Sequence, residues 1–363
     1  MALSESLRWR LRASPALGGA PLGNLFRPLS DQAAIELVHH AHAEGARYFD
    51  TAPHYGHGRS ERRMGDALRE FPRDDYLLST KVGRLLEPRA DPPRNQHGYV
   101  DTLPFVQRYD YTAEGVRRSL ADSLQRLGLA RVDLVYVHDI DRATHGEAHA
   151  QRLADAIESG FPALAALKAE GAIGGYGLGV NDVEICRDVL RHTDLDVILL
   201  AGRYTLADQS ALPELLLECE RRGVALVLGG PFNSGILATG ARPRDGMPPY
   251  FNYAPAPRAI VERVAAIEGV CAQFAVPLAA AALQFPLGHP AVTAVLPGAR
   301  SAAEFDENLR LARYPIPAEF WRALRDQQLI DQRAPLPDEQ PSPQPSPRER
   351  DESSPRAEKG SAP

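Results

Sequence analysis

Three observations on the sequence converge on one fold class. Eight short apolar or β-branched runs recur along the chain, amphipathic helical patterns lie between them, and no GxGxxG turn follows the first run. Together they predict an α/β fold, a (β/α)8 TIM barrel with long loops at the C-terminal face. The runs occupy residues 15–19, 47–51, 76–81, 132–138, 173–179, 197–201, 224–229 and 292–297. Helical patterns at 31–45, with Ser30 as N-cap, and at 60–70, 113–127 and 153–170 separate consecutive runs and so impose parallel pairing. A doubly wound open sheet is the competing architecture, but the nearest glycine-rich turn, GGAPLG at 18–23, has the wrong spacing and leads into NLFRP, not a helix.

Two stretches interrupt the alternation. Residues 83–110 lack clear periodicity but carry Tyr99, Phe105 and Tyr109, and residues 231–257 are rich in Gly, Pro and aromatics. Both follow predicted strands directly, which places them as lids over the face where barrel enzymes keep their sites. From Ala334 the final thirty residues hold eight prolines and no aromatic, so a barrel over 1–333 is expected to be followed by a disordered Pro-rich tail at 334–363.

A formal charge of −6 gives no global field for a polyanion, which argues against nucleic acid as a partner. No apolar run approaches about 18 residues, so membrane spanning is not expected. Arg8, Arg10 and Arg12 lead into no apolar segment and are expected to decorate an edge hairpin. Cys186, Cys219 and Cys271 are odd in number and far apart, which suggests neither a disulfide framework nor a metal site and fits a cytoplasmic, reducing compartment. Nothing in the sequence bears on oligomeric state.

Polar residues gather at strand ends: Asp50 after the second run, Lys81 at the end of the third, His138 at the end of the fourth and Asn181 just past the fifth. Tyr55 follows Asp50 by five residues in a loop able to return its phenol over the barrel mouth. A tyrosine ordinarily titrates near pH 10, so acid–base work at neutrality needs a neighbouring cation, and a lysine paired with a carboxylate can supply one. Singly, Asp50 is a strand-end cap, Lys81 a solvated cation, Tyr55 a packing aromatic and His138 a core histidine. It is their convergence that suggests chemistry. His145 and His149 stand at i and i+4 without a third ligand, so no metal site is expected. The glycines at 174, 175, 177 and 179 are expected to permit close strand packing, not to cradle a phosphate.

With these residues in place the sequence resembles the aldo-keto reductase superfamily. RYFDTAPHYGHGRSERRMG from Arg47 looks like its Asp and Tyr motif, STKVGR its lysine strand and VDLVYVHD its histidine strand. The resemblance spans about residues 12 to 315. It implies that Tyr55 exchanges a proton with the substrate oxygen, that Lys81, paired with Asp50, draws the phenol pKa down, and that His138 orients the substrate. VTAVLPGARSAAEFDENLRL resembles the last strand and the helix that hold a nicotinamide dinucleotide. Asp50, Asn181, Gly298, Glu304, Glu307 and Asn308 are the implied cofactor positions, with Asn181 at the carboxamide and Glu307 and Asn308 at adenine. Many NADP-preferring members have Lys at the Gly298 position and Arg at the Glu304 position, so the substitutions imply NAD, with NADP possible.

Two further positions depart from the wider family. Ala201 stands where a Gln often contacts the carboxamide, and Gly229 where an aromatic often stacks on nicotinamide, leaving Tyr204 and Phe232 as stacking candidates. Together with the GNLFRPLSD, AGRYTL and GGPFNSG segments, these departures resemble the aldose 1-dehydrogenase-like branch, which includes fucose, galactose and pyridoxal dehydrogenases. The implied reaction is oxidation of the anomeric hydroxyl of an aldose or similar cyclic hemiacetal to a lactone. Two alternatives stand beside it: an NADPH-dependent general aldehyde or ketone reductase, and a non-catalytic dinucleotide-sensing module on the same scaffold.

Overall fold

The computed structural model describes residues 3–13, 15–243 and 247–339. Eight parallel strands follow one another around a single sheet: β1 Ala16–Gly18, β2 Tyr48–Asp50, β3 Leu77–Val82, β4 Leu134–His138, β5 Gly175–Val180, β6 Val197–Ala201, β7 Ala225–Gly229 and β8 Val292–Leu296. The Gly18 N–H donates to the Pro297 carbonyl at 2.9 Å, and Gly18 forms a parallel bridge with Gly298, which joins the last strand to the first. Each predicted strand is present, and the sheet is the expected (β/α)8 barrel.

Side-chain alternation along these strands positions everything that follows. Ala16, Tyr48, Leu77, Leu134, Tyr136, Val197, Leu199, Ala225, Val227, Ala294 and Leu296 form one buried cluster, the barrel interior. Their neighbours of opposite parity, such as Leu17, Phe49, Leu78, Val135, Val137 and Leu226, belong to the larger layer between strands and helices. Continuing the inward parity to the strand ends places Asp50, Lys81, His138, Gly179, Ala201 and Gly229 in the top interior layer. Gly177 belongs to the same parity, and a Cβ there would lie 1.5 Å from the Val197 carbonyl oxygen, so the glycine is needed for β5 to meet β6.

Helix Asp31–Ala43 starts where Ser30 accepts the Ala33 N–H at 3.1 Å and turns Ala34, Leu37, Val38 and Ala41 to the barrel. Helix Ala113–Leu127 is capped in the same way by Thr112 and ends on Gly128 at φ 63°. The predicted helix over 153–170 is divided: His149–Asp155 and Phe161–Ala169 are joined by a π-helical turn, Ala156–Gly160, in which Gly160 packs on the Tyr111 carbonyl.

Three expectations are corrected. The early arginines lie on a helix, Glu5–Ala13, whose Arg8, Arg10 and Arg12 donate to the carbonyls of Gly223, Asp74 and Pro290, while Leu3, Leu7 and Leu11 pack on the interior cluster. The stretch 83–110 is not structureless: Arg84–Pro88 and Phe105–Tyr109 pair as an antiparallel hairpin. Ala334, where the tail was expected to begin, is buried with Leu336 in the core, and Glu339 pairs with Arg325 at 3.3 Å, so the chain stays on the barrel through 339. The remaining tail positions, 340–363, lie outside the described residues. Among the described residues no single helix is long and apolar enough to cross a membrane.

Candidate active site

At the top of the interior a hydrogen-bonded ladder rises from the barrel centre. The hydroxyls of Tyr136 and Tyr48 are 3.0 Å apart, Tyr48 Oη is 3.0 Å from Ser79 Oγ, and Ser79 donates to Asp50 Oδ1 at 2.7 Å. Lys81 Nζ donates to Asp50 Oδ2 at 2.6 Å and to the Thr51 carbonyl at 3.0 Å. Asp50 thus accepts from both sides, and Lys81 has two acceptors, with both side chains buried. Ser79, Tyr48 and Tyr136 were not singled out in the sequence, although their shared parity with Lys81, Asp50 and His138 carries that information.

Tyr55 rests on this pair, with Lys81 Nζ 4.6 Å from its ring centroid, and meets His138 edge-on at 6.1 Å and 86°. The four expected catalytic side chains are therefore in one cluster. Its electrostatics differ from the expectation. Burial, followed by the Asp50 carboxylate, pushes the Tyr55 phenol well above its ordinary value. Lys81 does not offset this, because its 2.6 Å contact with Asp50 neutralises the ammonium and leaves little net field at the ring. Burial also raises the Asp50 carboxyl, partly offset by Lys81.

His138 is kept neutral by burial and by the Arg84 and Lys81 cations, which push it well below its usual range. Its Nε2 lies 3.3 Å from Asp139 Oδ2, and its Nδ1 is buried without a protein partner. Asp139 adopts φ 40° just past β4, which turns its carboxylate back to Arg84 as well as to His138. Arg84 reaches this point from the hairpin. Gly83, at φ 98° and with a hypothetical Cβ 2.2 Å from the Tyr111 ring, makes the necessary turn.

The other half of the rim is bare. Gly179, Ala201 and Gly229 occupy the inward positions of β5, β6 and β7, and a Cβ on Gly179 would come within 3.4 Å of the Lys81 side chain. A polar wall from β2 to β4 thus faces a wall from β5 to β7 whose inward residues carry no side chain larger than a methyl. That fits a nicotinamide, with Asn181 beyond Gly179 as an amide partner. In this structure the Asn181 side chain lies close enough to the phenol of Tyr253, at the tip of the Tyr250–Phe251/Ala254–Pro255 hairpin in the second lid, to lower its pKa against the effect of burial.

Of the stacking candidates, Tyr204 is excluded: it is fully buried between Phe285 and His289, away from the rim. Phe232 packs on the core. Gly298, Glu304, Glu307 and Asn308 form a separate group where β8 meets helix Ala302–Ala312. Asn308 donates to the Gly298 carbonyl at 3.2 Å, and Glu307 pairs with Arg310 at 2.6 Å. A side chain at Gly298 would press on Pro21, 2.8 Å from the hypothetical Cβ. Ser301 caps the helix by accepting the Glu304 N–H at 3.2 Å, while the Glu304 carboxylate accepts the Arg300 N–H at 2.8 Å. Arg300 in turn donates to the carbonyls of Leu25, Arg27 and Pro28. His145 and His149 are engaged by the Tyr111 hydroxyl and the Ile140 carbonyl.

The family model described as "Aldo/keto reductase family" matches residues 16–328. Pyridoxal 4-dehydrogenase of Microbacterium luteolum is 47% identical over 324 residues, covering 86% of this chain and 93% of the relative. D-threo-aldose 1-dehydrogenase of a Pseudomonas species is 40% identical over 326 residues, covering 88% and 95%. Among solved structures, the holo form of an aldo-keto reductase from Bacillus halodurans superposes with a TM-score of 0.66 at 23% identity, over 88% of this chain and 92% of that one, a likeness of fold.

Proposed function

The chain belongs to the aldo/keto reductase family, and from that premise we propose that it oxidises the anomeric hydroxyl of an aldose, or of a similar cyclic hemiacetal, to a lactone. It is a nicotinamide-dependent oxidoreductase. The substrate assignment draws on the two relatives, since aldoses and pyridoxal both close to cyclic hemiacetals whose ring carbon carries the hydroxyl to be oxidised. The observation that carries the chemistry is the buried Lys81–Asp50 pair beneath the Tyr55 ring, with His138 at its edge.

When bound, the cofactor supplies the hydride acceptor. The protein's part is the proton: Tyr55 takes it from the substrate hydroxyl as the C–H electron pair leaves the same carbon, so the C–O single bond becomes the lactone carbonyl. His138, edge-on to the Tyr55 ring at 6.1 Å, is the side chain that hydrogen-bonds and orients the substrate. Asp50 keeps Lys81 in place, and Asn181, just past β5, is the residue available to the carboxamide. We also infer NAD over NADP, because the Glu304 carboxylate, held at the start of helix Ala302–Ala312, repels a 2′-phosphate. Three buried free cysteines support a reducing, cytoplasmic setting.

The test is to offer L-fucose, D-arabinose, D-galactose and pyridoxal with NAD, following NADH and lactone. NADH and lactone with at least one of them is expected. Stoichiometric dinucleotide binding with no product from any would refute the assignment.

A further inference from the structure

Beside the four residues discussed so far stands a second imidazole, His54, immediately before Tyr55. Its ring lies 5.6 Å from that of His138 and 6.2 Å from that of Tyr55. What distinguishes it is that its protonation can be deduced from one unambiguous donor. Arg84, which can only donate, gives Nη1–H to Gln107 Oε1 at 2.8 Å, and this orients the Gln107 amide. The Gln107 NH2 group then points at His54 Nδ1, 2.7 Å away, and at His57 Nε2, 2.9 Å away. Both nitrogens must accept. Consistently, the other nitrogen of His57 donates to the Phe105 carbonyl at 2.7 Å. Arg84 Nη1 also approaches His54 Nδ1 at 3.2 Å, a second reason for that nitrogen to be unprotonated.

The hydrogen of neutral His54 is therefore on Nε2, a donor with no hydrogen-bond partner among the described residues. The ring stays neutral, because burial and the Arg84 charge push it well below its usual range. His54 thus presents a fixed N–H beside the His138 ring at the barrel mouth, 5.6 Å between centroids. A single hydroxyl needs only one of them. Two neighbouring oxygens would use both.

We propose that His54 is a specificity-determining residue whose Nε2–H donates to the hydroxyl oxygen on the carbon next to the reacting one, so that the site selects polyhydroxylated hemiacetals. This rests on the aldose assignment above. The hairpin of the first lid acts as its clamp, since Arg84 and Gln107 lie on its two paired strands. A preorganised donor left unpaired by a substrate lacking that oxygen gives discrimination that simple pocket shape does not.

The experiment compares kcat/KM for the aldose turned over fastest and for its 2-deoxy analogue, in the wild type, His54→Phe and His54→Asn. The wild type is expected to favour the hydroxylated sugar by about 100-fold or more, and His54→Phe to shrink that ratio at least about tenfold. His54→Asn, which keeps an N–H donor, should restore part of it. A purely structural loss would lower both substrates together and leave the ratio unchanged in His54→Phe, which would overturn the proposal while the aldose assignment stands. Absence of turnover with every aldose in the wild type would overturn the aldose assignment itself. If His54→Phe does not fold, judged by dinucleotide binding, the ratio in His54→Asn and in Gln107→Leu decides: an unchanged ratio in both overturns the role, and a reduced ratio in Gln107→Leu supports it.

Discussion

Lys81 and Asp50 form an ion pair of 2.6 Å in which the two side chains are only 1% and 2% exposed. Removing one partner leaves the other charged and dry. Asp50→Asn is accordingly expected to cost about 3–5 kcal/mol of unfolding free energy, read by denaturant titration. The double change Asp50→Asn with Lys81→Met should recover much of that loss, since an apolar replacement of a buried pair is often tolerated. Turnover should not return with it, because the lysine side chain under Tyr55 is gone.

The position of Tyr55 on that pair leads to a kinetic expectation. A phenol held above its ordinary value is protonated at neutral pH, so the form able to accept a proton grows as pH rises. Initial rates of oxidation should climb from about pH 7 to about pH 10, whereas the reverse reduction, which needs the phenol, should not. Tyr55→Phe should lower kcat by about 100-fold or more in both directions while dinucleotide binding, followed by fluorescence, persists. A flat oxidation profile would contradict the assignment of Tyr55 as the proton acceptor.

The same burial limits stability at both ends of the pH scale. Tyr48, Tyr55, Tyr99, Tyr111 and Tyr136 are all raised by burial, so the folded state holds protons that the unfolded chain releases above about pH 10. Their contribution is full below that value and is lost above it. His54 and His138 are depressed by burial, and His289 is pushed down to about 4, so the unfolded chain takes up protons below about pH 6.5 that the folded one does not. Asp50 and Asp139, raised by burial, act in the opposite sense but nearer the carboxylate range. The melting temperature should be level between about pH 7 and about pH 9.5 and fall on either side.

How much of this was legible beforehand differs between residues for a physical reason. Their place at strand ends carried Asp50, Lys81 and His138 to one rim from the sequence alone, and strand parity is a property of the same sequence. The same parity would have added Ser79, Tyr48 and Tyr136, whose hydroxyls complete the ladder. Arg84, Gln107 and Asp139 were hidden because they depend on the pairing of Arg84–Pro88 with Phe105–Tyr109 across a long insertion, and on the φ of 40° at Asp139. Tyr204 misled because its neighbours Phe285 and His289 come from a distant segment and bury it in the core. The pKa of Tyr55 was expected in the wrong direction because the Lys81–Asp50 pair was counted as a cation near the phenol while the burial of the phenol itself was not weighed.

Glu304 offers the cleanest separation of charge from structure. Its carboxylate accepts the Arg300 N–H at 2.8 Å, and its own N–H is held by Ser301 at 3.2 Å, so it serves the helix start as well as the local potential. Glu304→Gln preserves an acceptor for Arg300 but removes the charge. Glu304→Arg removes both and adds a cation. If the anion is what disfavours a 2′-phosphate, the ratio of Kd for NADP to Kd for NAD should fall by about 3- to 10-fold in the first variant and further in the second. Fluorescence titration with the two dinucleotides measures this directly. Equal ratios in all three proteins would mean that selectivity lies elsewhere on the loop from Gly298. A drop only in Glu304→Arg would mean that the wild-type carboxylate is a cap without influence on the phosphate.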